Sequence, residues 1–407
     1  MRRLIYVFFA LNIWAIPEVF AQDLLSYIRE AEANNPQIQA FELQYSIAKE
    51  KVNEVNTLPN TTFGVGYFAS EPETRTGAQR ARFSVNQMLP WFGTVTAREN
   101  YASSLAEAEY LEIAIAKREL ALSVARSYFD LYAIRAKQEV LDASMELLNT
   151  YEELALRSVE VGQASAVDVL RLQIRQNELR QQKRVLQSAD QAEQAQFNSL
   201  RNQKESLSVE VVSELELPET DPILSGERLE LNPVLMKYDR LFESVVQSEA
   251  LNQKESAPDL GIGLDYVPVS ERKDLDLPDT GKDVVMPMVS VSIPIFNNRY
   301  KSVSLQNELK MQEIQYQKQD RLNTLKAALS QAQSARDQAR ISYETQKKNT
   351  KQARDAEDIL SKSYETGTID FRDILDLQEL QLKFRMEMIE SARAYYIQSS
   401  IINYLIQ

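Results

Sequence analysis

Few kinds of side chain here can do chemistry. The chain has 407 residues and contains neither His nor Cys. That excludes thiol nucleophiles, imidazole bases, disulfides and most zinc or copper sites. Carboxylates remain, and three are marked out by position. Asp168 and Asp373 lie 205 positions apart, and so do the isolated glycines before them, Gly162 and Gly367. Asp376 follows Asp373 by three residues, which on a helix puts two carboxylates on one face, mildly unfavourable in isolation. Taken singly, Asp168 and Asp373 read as first-turn acids favoured by the helix dipole, about 0.3–1 kcal/mol each. Repeated around one opening in several chains, Asp373 and Asp376 would instead form an acidic ring that attracts cations. Met286 and Met288 beside a strand read as apolar filling rather than soft-metal ligands. With no catalytic constellation in view, the expectation is no enzyme, no cofactor and no metal.

The elements that position these acids follow from glycine and proline. Gly is absent from 94–161, 163–225 and 298–366, and Gly367 is the last one. Those windows are rich in Ala, Leu, Glu, Gln, Lys and Arg, all strong helix formers. As helices, 94–160 and 298–365 would each run about 100 Å at 1.5 Å per residue. Leu105, Ala108, Leu111, Ile115, Leu122, Ala125, Phe129, Tyr132 and Ala136 recur at three- and four-residue spacing. After each tip glycine the pattern resumes, with Val169, Leu172, Ile174 and Leu179, then with Phe371, Ile374, Leu377 and Leu380. Each pair therefore reads as a helix, a Gly turn and a helix returning antiparallel. Ser165 or Asp370 can cap the return helix, with Asp168 or Asp373 as the capping-box acid. The return helices are placed at about 164–205 and 369–404. Charged runs such as 347–354 read as solvated coiled-coil surface.

Ahead of each long helix the period changes to two. Phe63, Val65 and Tyr67 alternate, then Phe83 and Val85; in the second half Leu260, Ile262, Leu264 and Tyr266, then Val289, Val291 and Ile293. These read as strands at about 60–69, 81–90, 259–268 and 285–295, joined by polar loops over 70–80 and 270–283. Each strand pair ends at a proline and an aromatic, Pro90-Trp91-Phe92 and Pro294-Ile295-Phe296. Each half also opens alike, with Asn35-Pro36 and Asn232-Pro233 before amphipathic segments 37–56 and 234–255. The chain is one unit written twice, 22–205 and 232–407, with 206–231 as the linker or equatorial segment.

Residues 1–21 have the form of a secretory signal. Arg2 and Arg3 precede an uncharged apolar run, Leu4 to Ile16, too short to span a bilayer, and Val19-Phe20-Ala21 fits a cleavage site. Cleavage is expected after Ala21, with no Cys there to be lipidated. The formal net charge of −13 argues against nucleic acid as a partner. Alternating strands in an exported chain suggest an outer-membrane barrel, but four strands are too few, and an open edge cannot exist in lipid. Three copies would supply twelve strands. The long helices carry charged outer faces and would project from such a barrel. Trp91, Phe92 and Phe296 would then lie at the bilayer interface.

This layout resembles the TolC-like outer-membrane factors, the exit ducts of tripartite efflux pumps and type I secretion systems. The likeness spans essentially all of 22–407 and rests on the duplicated order and on the two Gly-turn motifs, Val161-Gly162 to Leu170 and Thr366-Gly367 to Asp376. The resemblance implies a mainly α protein with a small β part. It implies a homotrimer whose α-helical barrel is continuous with a shared 12-stranded outer-membrane β-barrel, without cofactor or catalysis. It implies partners in outer-membrane lipid, a periplasmic adaptor and an inner-membrane pump. By motif position it makes Asp373 and Asp376 the entrance ring. It makes Val161, Gly162, Gln163, Thr366, Gly367 and Thr368 the adaptor-contact tips, and Tyr364 and Asp168 part of the closed-state tether. Ile369 stands where the family pattern has a tethering arginine. The alternatives are protein export as the duty of the same duct, and a secreted coiled-coil structural protein, which would not need two strand pairs in register.

Overall fold

The computed structural model describes residues 20–160, 165–221, 226–274, 278–365 and 371–406. In chain order the helices are α1 Phe20–Asn34, α2 Pro36–Val55, α3 Thr94–Glu160, α4 Ala166–Leu200, α5 Pro233–Glu255, α6 Arg299–Glu365 and α7 Phe371–Ile406. The strands are β1 Thr62–Tyr67, β2 Glu73–Thr74, β3 Gly77–Ala78, β4 Ala81–Leu89, β5 Asp259–Val267 and β6 Val284–Ser292. A short 3-10 helix covers Gly226–Leu231. α3 and α6 have 67 residues each, and neither contains a Gly or Pro to break it. The structure adds α1 and a two-residue ribbon, β2 with β3, inside the segment read as a polar loop over 70–80.

The chain forms two compact units that do not follow its two sequence halves. One takes residues up to Gln39, Ile115–Asn232 and those from Asn323 on; the other takes Ala40–Ala114 and Pro233–Leu322.

In the first unit the core is helical. Val124, Tyr128, Leu131, Tyr132 and Leu141 of α3 are buried, as are Leu172, Leu179 and Phe197 of α4 and Ile389, Ala392, Tyr395 and Ile402 of α7. Ile174, expected on the apolar stripe, is exposed, and so is Leu380; Val169, Leu172 and Leu179 hold the core positions of α4, and Ile374 and Leu382 those near the start of α7. α4 stops at Leu200, short of the expected end near 205. Asn202 adopts a left-handed φ of 54°, and Gln203 N–H reaches back to the Asn198 carbonyl at 2.8 Å. That is a Schellman ending made with Asn in place of the usual Gly.

The duplication is visible in the hydrogen bonds. Asn35 donates from its side-chain amide to the Leu200 carbonyl at 3.0 Å, and Asn232 donates to the Leu405 carbonyl at 2.9 Å. Each Asn-Pro step therefore closes the C-terminus of the return helix of its own repeat. These carbonyls have no partner within their helix.

In the second unit the sheet is antiparallel throughout, in the order β1-β4-β5-β6. β4 and β5 join the strand pair of one repeat to that of the other, with Phe83 opposite Tyr266 and Met88 opposite Gly261. β1 and β6 are the sheet edges. Pro287 is tolerated in β6 because an edge strand leaves one row of N–H positions unused. At the strand-to-helix corner Gly93 has φ +83°, a conformation that favours glycine, and α3 starts at the next residue. Leu105, read from the sequence as part of the α3 stripe, is exposed, while Ala102, Ala106 and Ala108 are buried.

Candidate functional site

The ends of the helical hairpins carry the acids marked out by the sequence. Ser165 caps α4, its hydroxyl accepting from Val167 N–H at 3.2 Å. Asp168 is half-buried and pairs with Arg171 at 3.4 Å. Asp373 and Asp376 are exposed on the first turns of α7, and Asp376 lies 3.8 Å from Arg372. Val161, Gly162, Gln163, Thr366, Gly367 and Thr368, with Ile369, lie outside the described residues. Tyr364 belongs to the last turn of α6, and its side chain is likewise outside them.

Just above the turns the structure shows a device that was not read from the sequence. Glu152 on α3 accepts from Gln173 at 2.8 Å and from Gln176 at 2.7 Å, both on α4. Glu357 on α6 accepts from Gln378 and from Gln381, the latter at 2.8 Å, both on α7. Glu152 and Glu357 are 205 positions apart, and so are the two pairs of glutamines. Each hairpin is thus clamped by one carboxylate gripping two amides a helical turn apart, bonds strengthened by the carboxylate charge. Tyr151, next to Glu152, donates its hydroxyl to Glu357 at 3.2 Å, linking the first hairpin to the second. Burial and the nearby Glu357 charge push the Tyr151 phenol up to about 12. The repeated spacing was the available signal, but Gln and Glu are common on solvated helix faces and gave no periodic contrast.

Higher on the same unit, residues 207–221 run extended across the helices. Val209 and Leu215 are buried. Tyr27 bonds both the carbonyl and the N–H of Glu210, at 3.3 and 3.1 Å. The Tyr128 and Tyr132 hydroxyls accept from Val212 and Leu215 N–H, each at 3.2 Å. Tyr396 donates to the Glu216 carbonyl. Asp221 is gripped by Arg340 through two nitrogens, at 2.6 and 3.2 Å, and by the Tyr395 hydroxyl. The segment read as a linker is a strap whose polar backbone is satisfied by side chains of α1, α3 and α7.

The sheet has two unlike faces. Phe63, Val65 and Tyr67 of β1, Phe83 and Val85 of β4, Ile262, Leu264 and Tyr266 of β5 and Val285, Val289 and Val291 of β6 share one face. All are exposed, Phe63 by 75% and Val289 by 80%. The other face carries Gly64, Gly66, Ser84, Asn86, Gly261, Gly263, Ser290 and the Arg82–Asp265 ion pair. Beyond the strand ends Trp91 stacks edge-on with Phe92, their centroids 5.7 Å apart, and Phe92 and Phe296 are strongly exposed. No helix among the described residues is long and apolar enough to cross a membrane, and among them no cluster of acidic side chains is arranged to hold a metal ion.

No protein-family model and no curated protein matches the chain. Solved structures do match its fold. The chain is similar to CusC, a protein described by its transmembrane channel formation, with 14% identity, 97% of this chain and 95% of that one covered and a TM-score of 0.77. It is similar to the outer-membrane protein VceC of Vibrio cholerae, with 17% identity, 96% and 99% covered and a TM-score of 0.72. It is similar to the open state of the Neisseria gonorrhoeae outer-membrane channel MtrE, with 15% identity, 97% and 94% covered and a TM-score of 0.73. The fold is that of the TolC-like outer-membrane factors. The likeness runs nearly end to end in both directions.

Proposed function

We propose that the protein is the outer-membrane exit duct of a tripartite efflux pump. It acts as a passive homotrimeric channel that carries small molecules or metal ions from the periplasm to the exterior. The observation that carries this is the sheet. Four strands with two open edges and a largely apolar, exposed face are not a finished structure in water, and an open edge is not tolerated in lipid. Three copies joined edge to edge make a closed twelve-stranded barrel with the apolar face on lipid and the polar face on a water-filled passage. Trp91, Phe92 and Phe296 then anchor the barrel at the bilayer interface. The signal at 1–21 is removed after Ala21 and the new terminus is not lipidated.

In this reading the clamped hairpins of α3/α4 and α6/α7 form the periplasmic extension. Val161, Gly162, Gln163, Thr366, Gly367 and Thr368 meet a periplasmic adaptor, and docking of the adaptor and an inner-membrane pump opens the entrance. Asp373 and Asp376 from three chains line that entrance, with Asp168 and Tyr364 beside it. The reading needs no catalytic residue and no cofactor. It is tested in outer-membrane fractions. The protein is expected there as a species that migrates as an oligomer in detergent gels until it is heated. Recovery only as a soluble periplasmic or secreted monomer would favour a coiled-coil structural protein instead.

A further inference from the structure

We propose that α2 of one copy docks on α6 of a second copy of this chain. The docking surfaces are the apolar stripes Leu43 and Ile47 on α2 and Leu305, Leu309 and Tyr316 on α6. Four helices from each copy thereby close a ring in water next to the sheet. The inference rests on the proposed duct for the identity of the partner.

The helices of the second unit follow the order of its strands. α2 packs on α3 through Tyr45 and Tyr110, whose ring centroids are 5.2 Å apart. α3 packs on α5 through Arg98 with Glu255 at 3.1 Å, and through Glu112 with Lys237. α5 packs on α6, where Asn252 donates to the Tyr300 carbonyl at 2.9 Å and Asn307 donates to Glu249 at 2.9 Å. The order α2-α3-α5-α6 repeats β1-β4-β5-β6, since α2 leads into β1, α3 leaves β4, α5 leads into β5 and α6 leaves β6. α2 and α6 are therefore the outer helices, on the same flanks as the open edges β1 and β6.

Both outer helices hold large apolar side chains out in solvent. Leu43 and Ile47 are four residues apart, and Leu305, Leu309 and Tyr316 follow at spacings of four and seven, so each set shares one helix face. Ile47 is 69% exposed and Tyr316 77%, and Leu43, Leu305 and Leu309 are exposed as well. Lipid does not suit these stripes. Lys49 and Glu50 lie beside the first, and Glu308, Lys310 and Glu313 beside the second, all exposed. The two stripes also lie at one level. Six residues join α2 to β1 and six join β6 to α6. Ile47 stands eight residues before the end of α2, and Leu305 and Leu309 six and ten after the start of α6. At 1.5 Å per residue these are about 12, 9 and 15 Å from the helix ends nearest the sheet. A symmetry axis along the passage keeps such levels equal from copy to copy. Nearer the sheet the α2 face continues with Glu50 and the α6 face with Lys301, which carry opposite charges. A second copy supplies the matching stripe, level and charge together.

The chain has no Cys, so introduced thiols report alone. Purified full-length protein in detergent, carrying Ile47→Cys with Leu305→Cys, is treated with a short bis-maleimide and run on a denaturing gel. The same preparation is inserted into planar bilayers for current recording. Covalent dimers and trimers are expected, and neither single variant is expected to link. Coexpressed chains carrying one of the two cysteines each are expected to give the dimer alone, which keeps the test available should the double variant not accumulate. Leu43→Asn with Ile47→Asn is expected to lower the temperature at which the oligomer separates in detergent gels, and unchanged heat resistance would count against the interface. An oligomer left unlinked in both thiol experiments would overturn this interface and leave the duct standing. Linked trimers that pass no current would overturn the duct and leave the interface standing. Protein that is monomeric and unlinked would overturn both.

Discussion

Arg135 and Arg340, 205 positions apart, each donate a hydrogen bond to a carbonyl of the same strap, to Val209 and to Pro218 respectively. Equivalent residues of the two repeats thus hold the two ends of one segment that belongs to neither. Their acidic partners have diverged. Arg135 pairs at 2.7 Å with Asp190 on its own return helix. At the matching place on α7 stands Tyr395, and the acid for Arg340 comes from the strap as Asp221, at 2.6 Å.

Asp221→Asn should therefore detach the strap from the second repeat. It removes a two-point contact to one guanidinium and leaves Arg336, 3.7 Å away, without its carboxylate on the strap. A loss of about 2 kcal/mol follows from charged hydrogen bonds of this kind, read as a lowered thermal midpoint in detergent. The pH dependence has a definite sign. Burial opposes the charge on Asp221, but Arg340, Tyr395 and Arg336 outweigh it and hold the carboxyl below its ordinary value of 3.8. A depressed carboxyl contributes stability above the unfolded value, and loses it as pH falls below about 3.8 through the folded value. Asp221→Asn should abolish that part of the acid sensitivity.

The Glu152 and Glu357 clamps predict a second outcome. Glu357→Ala frees Gln378 and Gln381 and cuts the Tyr151 link between hairpins, whereas Tyr151→Phe cuts the link alone. Both should speed amide exchange near the ends of α3 and α6, Glu357→Ala more than Tyr151→Phe, and both should lengthen open dwell times in single-channel records. Because the Tyr151 phenol is raised from 10 to about 12, its contribution is complete below pH 10 and fades as pH climbs towards 12. Unchanged exchange and gating in both variants would show that the hairpins are held elsewhere.

The exposed acids of α7 predict a third. Asp373→Asn with Asp376→Asn should reduce cation selectivity and relieve block by divalent cations, with little change in melting, since both side chains are exposed. Asp168→Asn should do less, because Arg171 already neutralises that carboxylate locally. Conductance and divalent block identical to wild type in the double variant would remove the entrance-ring role.

The two Asn-Pro corners predict a fourth. Asn35 accepts from Gln37 N–H at 2.9 Å while donating to Leu200, so it caps one helix and closes another. Asn35→Ala should cost about 1–2 kcal/mol, and Asn232→Ala should be destabilising in the same direction, measured by chemical unfolding in detergent.

The repeated architecture was legible because it is written in glycine and proline spacing and in runs long enough for periodicity to speak. The strand pairs and the hairpins around Gly162 and Gly367 could be read that way. What could not be read depends on contacts between distant residues. The joining of β4 to β5 pairs residues of opposite halves, with no local signal beyond alternation. The end of α4 fell short of the expected 205 because Asn202 makes a left-handed turn, a role more often taken by Gly. The strap read as a linker because its hydrogen bonds go to tyrosines far away in sequence, and Tyr132 looked like one more member of an apolar stripe. At the hairpin ends, the place of Asp168 and Asp373 in the first turns of the return helices was legible and the glutamine clamps were not, since Gln on a long polar helix carries no contrast until its partner is known.

The central claim is that several copies close this sheet into a conducting barrel. The most direct test is single-channel recording of the purified protein in planar bilayers. Discrete, long-lived current steps of uniform size from an oligomeric preparation are predicted. Protein that stays monomeric and gives no steps at any applied voltage would contradict it.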